Sequence, residues 1–129
     1  MPRVSAAFFF TGAVIVLFGM GMGMHMGESG DFTLLPVHAH LNLLGWVTMA
    51  LYGTFYALTR ETLLPRLAWT NYILSLIGLT VMIPSLALYL AHGNDTKYVP
   101  GLVVGEVATV LGLLVFGYCV FRELARKRA

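Results

Sequence analysis

Four histidines, His25, His38, His40 and His92, carry most of the chemistry this chain can offer, and two of them stand one residue apart in LPVHAHLNLLGWVTMALYGTFYAL. An imidazole buried in an apolar surround needs a partner, because an unsatisfied polar group inside a membrane costs several kcal/mol. At about 100° per residue on an α-helix, His38 and His40 lie about 200° apart and point to opposite sides. They cannot grip one small metal ion together, but each can serve a different neighbour. Imidazole is the ordinary axial ligand of haem iron, and a flat macrocycle wedged between helices in a dry site suits the arrangement. The plainer role for the pair is a helix cap, hydrogen-bonded to loop backbone at the membrane interface.

The remaining polar groups are few. His25 stands among Met20, Met22, Met24 and Met26 in GMGMGMHMG, a soft donor set of the kind copper(I) takes. On a helix the neighbouring methionines point away from the ring, so only an unwound end gathers them; otherwise they are packing and lipid-facing filler. His92, in YLAHGND, stands at the end of another apolar run. Together His25 and His92 offer the alternative of a haem held inside one bundle. Glu106 is the one carboxylate within an apolar run, about 10 Å below the start of its helix at ~1.5 Å per residue. Such a group is costly in a membrane and faces a partner or a cavity. It can accept a hydrogen bond from a ligand histidine's free N–H or stay protonated against a carbonyl. Asn42 and Trp46 follow the histidines by one to two turns and suit the edge of a large flat cofactor. Cys119 is the only cysteine, which leaves no intramolecular disulfide and no C-x-x-C-H attachment, so any haem is bound non-covalently.

The elements that must position these groups are membrane spans. Of 129 residues, 58% are hydrophobic and 11% charged, with a mean hydropathy of +0.80, well beyond a soluble domain. Four apolar runs, about 5–26, 37–58, 67–91 and 99–121, each reach the ~20 residues that a helix needs to cross the hydrocarbon layer. The fold class expected is all-α, an up-down four-helix bundle forming one transmembrane domain over 1–129. The first run is longer than a signal-peptide core and no A-x-A motif closes it, so it is expected to stay. Arg3, Arg60, Arg66, Arg122, Arg126, Lys127 and Arg128 fall on one side and only Lys97 on the other, which predicts cytoplasmic termini. All four histidines then lie near the outer ends of helices. The basic tail RELARKRA reads as an anchor against anionic lipid, not as a nucleic-acid patch. Glycines in the first span, and Gly101, Gly105 and Gly112 in the fourth, stand at close-packing spacing.

The segment HAHLNLLGWVTMALYGTFY resembles the haem-ligating helices of the haem-copper oxidase catalytic subunit, including its nitric oxide reductase branch. The matching features are His38 and His40 as H-x-H, then Gly45 and Gly53. The chain as a whole looks like one of the three four-helix arcs of that subunit, with the ligand helix in second place. The resemblance implies a homotrimer that rebuilds a twelve-helix ring in a bacterial inner (plasma) membrane. It further implies haem b bound between subunits by His38 of one and His40 of the next. Lys97 stands where the family keeps an arginine pair for the haem propionates; its alternative is plain solvation. His92 stands where the family has two adjacent histidines of its copper site, and one alone leaves that site incomplete. The function expected is electron transfer or redox sensing, with a quinone or a periplasmic carrier as partner. A small oxidase-like or nitric oxide reductase-like enzyme, with copper at His92 or His25, and a haem-storing scaffold are the alternatives.

Overall fold

A computed structural model describes residues 1–127; Arg128, counted in the charge bias, lies outside the described residues. It contains four helices long and apolar enough to cross a membrane, as a multi-pass membrane protein requires. These are α1 (Arg3–Ser29), α2 (Leu35–Leu58), α3 (Pro65–Ala91) and α4 (Val99–Ala125), the last entered through a short 3₁₀ turn, Thr96–Tyr98. Pro36, Pro65 and Pro100 each sit in a first helical turn, where a missing N–H costs nothing. Gly30 closes α1 with a left-handed φ of 69° and donates its N–H to Met26 O, a conformation that glycine adopts without penalty. α1 and α4 run past their apolar stretches into polar last turns, with Glu28 and Ser29 in one and Glu123 in the other.

One helix departs from expectation. Instead of a uniform α-helix over 37–58, α2 contains a π-helical segment, Leu43–Thr48. Its buried positions explain why. Val37, Leu41, Gly45 and Met49 are all buried, yet residues four apart drift by about 40° per step on an α-helix, or roughly 120° over the three steps. A π segment inserts about one residue's worth of rotation and keeps all four on the face that packs against α1. Thr48 Oγ1 donates to Leu43 O at 2.8 Å, bonding a carbonyl within the altered ladder.

The helices pack as two antiparallel hairpins, α1 with α2 and α3 with α4. They meet at the loop end, where Leu35–Asn42 packs on α3, and near the end that bears the termini. There Phe8 packs against the rings of Tyr52, Tyr56 and Tyr72 with centroids 5.2–5.8 Å apart. A buried polar chain runs through the same layer: Ser75 donates to Asn71 Oδ1, and Asn71 Nδ2 donates to the Tyr56 hydroxyl at 3.0 Å. Tyr56 in turn reaches Cys119 Sγ at 3.9 Å, and a Thr11–Tyr72 hydroxyl pair at 2.8 Å joins α1 to α3. Bonded to one another, these groups fix the pairing of the hairpins; Ser5, one turn from Phe8, is buried without a partner.

Candidate functional site

The site is built at the opposite end, beside the loops that join α1 to α2 and α3 to α4. His38 lies in the seam between α1 and α2, half-buried, with Nδ1 2.8 Å from Gly19 O. A carbonyl only accepts, so Nδ1 carries the proton and in the neutral ring Nε2 carries the lone pair. The ring fits because α1 has Gly23 opposite it: a Cβ at Gly23 would lie 2.8 Å from His38 Cε1. His40 has a different surround. Its Nδ1 donates to Pro36 O of its own helix at 2.7 Å, which again leaves Nε2 as the free donor atom. Both rings are thus in the tautomer that ligates through Nε2, with the other nitrogen oriented by backbone. They occupy different settings on one helix, in keeping with the angular divergence expected from their spacing.

Asn42 lies directly below. Its Nδ2 stands 3.2 Å from His38 Nε2 and donates to it, while its Oδ1 is buried with no hydrogen-bond partner. That oxygen presses on Gly19, whose place no larger residue could take without moving the amide. Sequence spacing placed Asn42 near the histidines, and the structure puts it against Nε2 of His38. Trp46 belongs to the π segment. Its ring edge packs on Gly12 of α1, with a Cβ there falling 3.1 Å from Trp46 Cε3, and its remaining surface faces outward.

The other candidate groups are separate from this pair. His25 is exposed on α1, which stays helical through Ser29, so the methionines fan around the helix: Met26 is buried, while Met20 and Met24 are exposed. His92 caps α3, with Nδ1 on Leu88 O at 2.9 Å and its ring 5.5 Å from that of Tyr98. Lys97 lies in the same loop, 3.6 Å from Asp95 and over the Tyr98 ring. Among the described residues, no three His, Cys, Asp or Glu side chains converge on a metal-sized site. Glu106 is exposed on α4 between Val103 and Val110, outside both ion pairs of the described residues, Lys97–Asp95 and Arg126–Glu123. In the α1–α2 loop, the hydroxyl and N–H of Thr33 hold the Asp31 carboxyl below the usual carboxylate range, so this loop keeps a negative charge near His25.

Sequence reasoning missed two features of the site. One is the π segment just after the histidines, a placement common at functional sites. The other is a cavity of about 130 Å³ lined by Leu44, Thr48, Tyr52, Ser75 and Thr109 at mid-bundle. That volume is below the ~300 Å³ at the lower end of small-ligand sites, too small for a macrocycle. No protein-family model, no curated protein and no solved structure matches the chain, so its function is argued from its own residues.

Proposed function

We propose that the chain is a membrane haem b protein whose iron is ligated by two histidines, and that it transfers electrons or senses redox state. The observation that carries this reading is the shared tautomer of His38 and His40, each with Nδ1 on a backbone carbonyl and the lone pair on Nε2, which is free on His40 and held by the Asn42 amide on His38. The donor set fits haem iron, whose axial imidazoles bind through one nitrogen and are oriented through the other. His40 has Nε2 ready; His38 ligates once the amide of Asn42 turns aside, a small demand since that amide already has an unpartnered oxygen. Haem b, when bound, supplies one-electron iron chemistry. The residues orient it, exclude water with the apolar faces of α1 and α2, and offer Lys97 at the loop end for its carboxylates.

The macrocycle lies between copies of the chain, in a homotrimer that places His38 of one subunit opposite His40 of the next. The small mid-bundle cavity speaks against a haem inside one bundle. Glu106 speaks for assembly, because a carboxylate on an apolar helix face calls for a partner beyond its own chain. Both termini are cytoplasmic in a bacterial inner membrane, so the histidines lie near the outer face, within reach of a quinone or a periplasmic carrier.

Asn42 favours a second reading. If its amide keeps His38 Nε2, the iron has one protein ligand and an open face, as an oxidase-like or nitric oxide reductase-like enzyme needs. The reduced spectrum with and without carbon monoxide separates the two. Narrow split bands that carbon monoxide leaves in place belong to two filled axial positions, whereas a large fast shift belongs to the enzyme. His38→Ala and His40→Ala should each abolish the six-coordinate spectrum; if both leave it whole, the haem assignment is wrong.

A further inference from the structure

We infer that the terminal end of the α3–α4 hairpin is a binding site for one anionic phospholipid. Two grooves adjoin there along the ring of Tyr118. One, of about 640 Å³, is lined by Leu64, Pro65, Arg66, Leu67 and Tyr118. The other, of about 450 Å³, is lined by Thr62, Tyr118, Phe121, Arg122 and the Glu123–Arg126 pair. Both are within the ~300–1,000 Å³ range of small-ligand sites.

The chemistry changes along the groove in the way a phospholipid does. Arg66 from the start of α3 lines the first groove and Arg122 from the end of α4 the second, and neither is in an ion pair of the described residues. Two guanidinium groups from facing helices suit a phosphodiester, which each can grip through paired N–H donors. Arg126 is less available because it leans on Glu123 at 3.9 Å. From the mouth toward mid-membrane the surface turns apolar: Phe121, Tyr118, Leu114 and Leu111 lie on one stripe of α4, spaced by three or four residues, and all are exposed. That stripe gives an acyl chain a continuous track. Basic pockets between transmembrane helices on the side with the positive loops are where anionic headgroups bind, and this end carries Arg3, Arg60, Arg66, Arg122, Arg126 and Lys127. The loop end carries only Lys97, already beside Asp95, and does not offer a comparable site.

The test is native mass spectrometry of the full chain in mild detergent, with phosphatidylglycerol or phosphatidylcholine of identical acyl chains. The wild type should retain phosphatidylglycerol about thirtyfold more strongly, as two arginines near a headgroup at about 1 kcal/mol each imply. Arg66→Gln with Arg122→Gln should bring the two lipids level, while Arg3→Gln with Arg60→Gln, the same charge loss at the same end, should keep the preference. Helical circular dichroism reports whether the double variant folds; if it does not, the single variants Arg66→Gln and Arg122→Gln must each lower the preference about fivefold. Equal retention by the wild type overturns the site. So does an equal loss in the control pair, which would show a diffuse charge effect, or full displacement of the lipid by millimolar inorganic phosphate, which would show an anion pocket without an acyl track.

Discussion

The two hairpins use the same residue, glycine, for different ends. In α3–α4, a Cβ at Gly105 would fall 2.6 Å from Met82 N and 2.7 Å from Met82 Cα, and one at Gly78 would crowd Gly105 O at 3.2 Å. Backbone meets backbone, and nothing there can yield. In the loop-end half of α1–α2, Gly19 and Gly23 instead face the side chains of Asn42 and His38. There the missing methyl makes room for polar side chains. The close-packing motif of membrane helices thus builds a rigid strut in one hairpin and a seat for the histidine in the other. A glycine-rich span alone does not tell which, because the answer lies in what the facing helix presents.

The contrast breaks most visibly at Gly105. Gly105→Leu should separate α3 from α4 and destabilise the bundle by about 3 kcal/mol, the upper end of overpacking costs, read as a drop in the thermal midpoint of helical circular dichroism in detergent. Gly105→Ala should already cost about 1–2 kcal/mol. A midpoint unchanged by either substitution would mean that the strut is not rigid.

Gly23→Ala should act differently. The helix gains a better helix former, but the new methyl pushes the His38 ring off Gly19 O and forfeits a hydrogen bond worth about 1 kcal/mol, so overall stability should change little. On the proposed haem reading the larger effect is in the spectrum, as loss or broadening of six-coordinate bands, with Asn42→Ala sharpening them by freeing Nε2 of His38. Should Gly23→Ala lower stability as Gly105→Ala does and leave the spectrum alone, the two hairpins do not differ in the way described.

Much of this was legible in the sequence. Apolar runs of about twenty residues fix four spans to within a few residues, since hydrocarbon thickness leaves little choice. The spacing of His38 and His40 was likewise enough to separate their surroundings. The π segment was not read, although the cue is present: Val37, Leu41, Gly45 and Met49 keep a strict spacing of four that a plain α-helix cannot hold on one face. The joint between the hairpins was also not read. Asn71, Tyr56, Ser75 and Thr11 carry no charge, so they do not interrupt an apolar run, and only the packing shows that their polar atoms meet. Asn71 is the best available signal, an amide in the middle of a span. Glu106 was expected to face a partner or a cavity, and among the described residues it is exposed on α4, which leaves its explanation to the proposed assembly.

The smallest effect is expected where glycine meets nothing. A Cβ at Gly21 or Gly27 has no atom within 4 Å in the single chain, although both belong to the same run as Gly19 and Gly23. Replacing each with alanine should therefore stabilise α1 by up to about 1 kcal/mol, the helix-propensity difference alone, or leave it unchanged. The measurement is the thermal midpoint of the assembled protein in mild detergent, compared with that of the protein dispersed to monomers in harsher detergent. A gain in both states would mean that this flank of α1 faces lipid. A gain in the monomer with a loss in the assembly would mean that a second copy packs closely over Gly21 and Gly27, which would place α1 in the subunit interface and make these two glycines seats of the kind Gly105 provides.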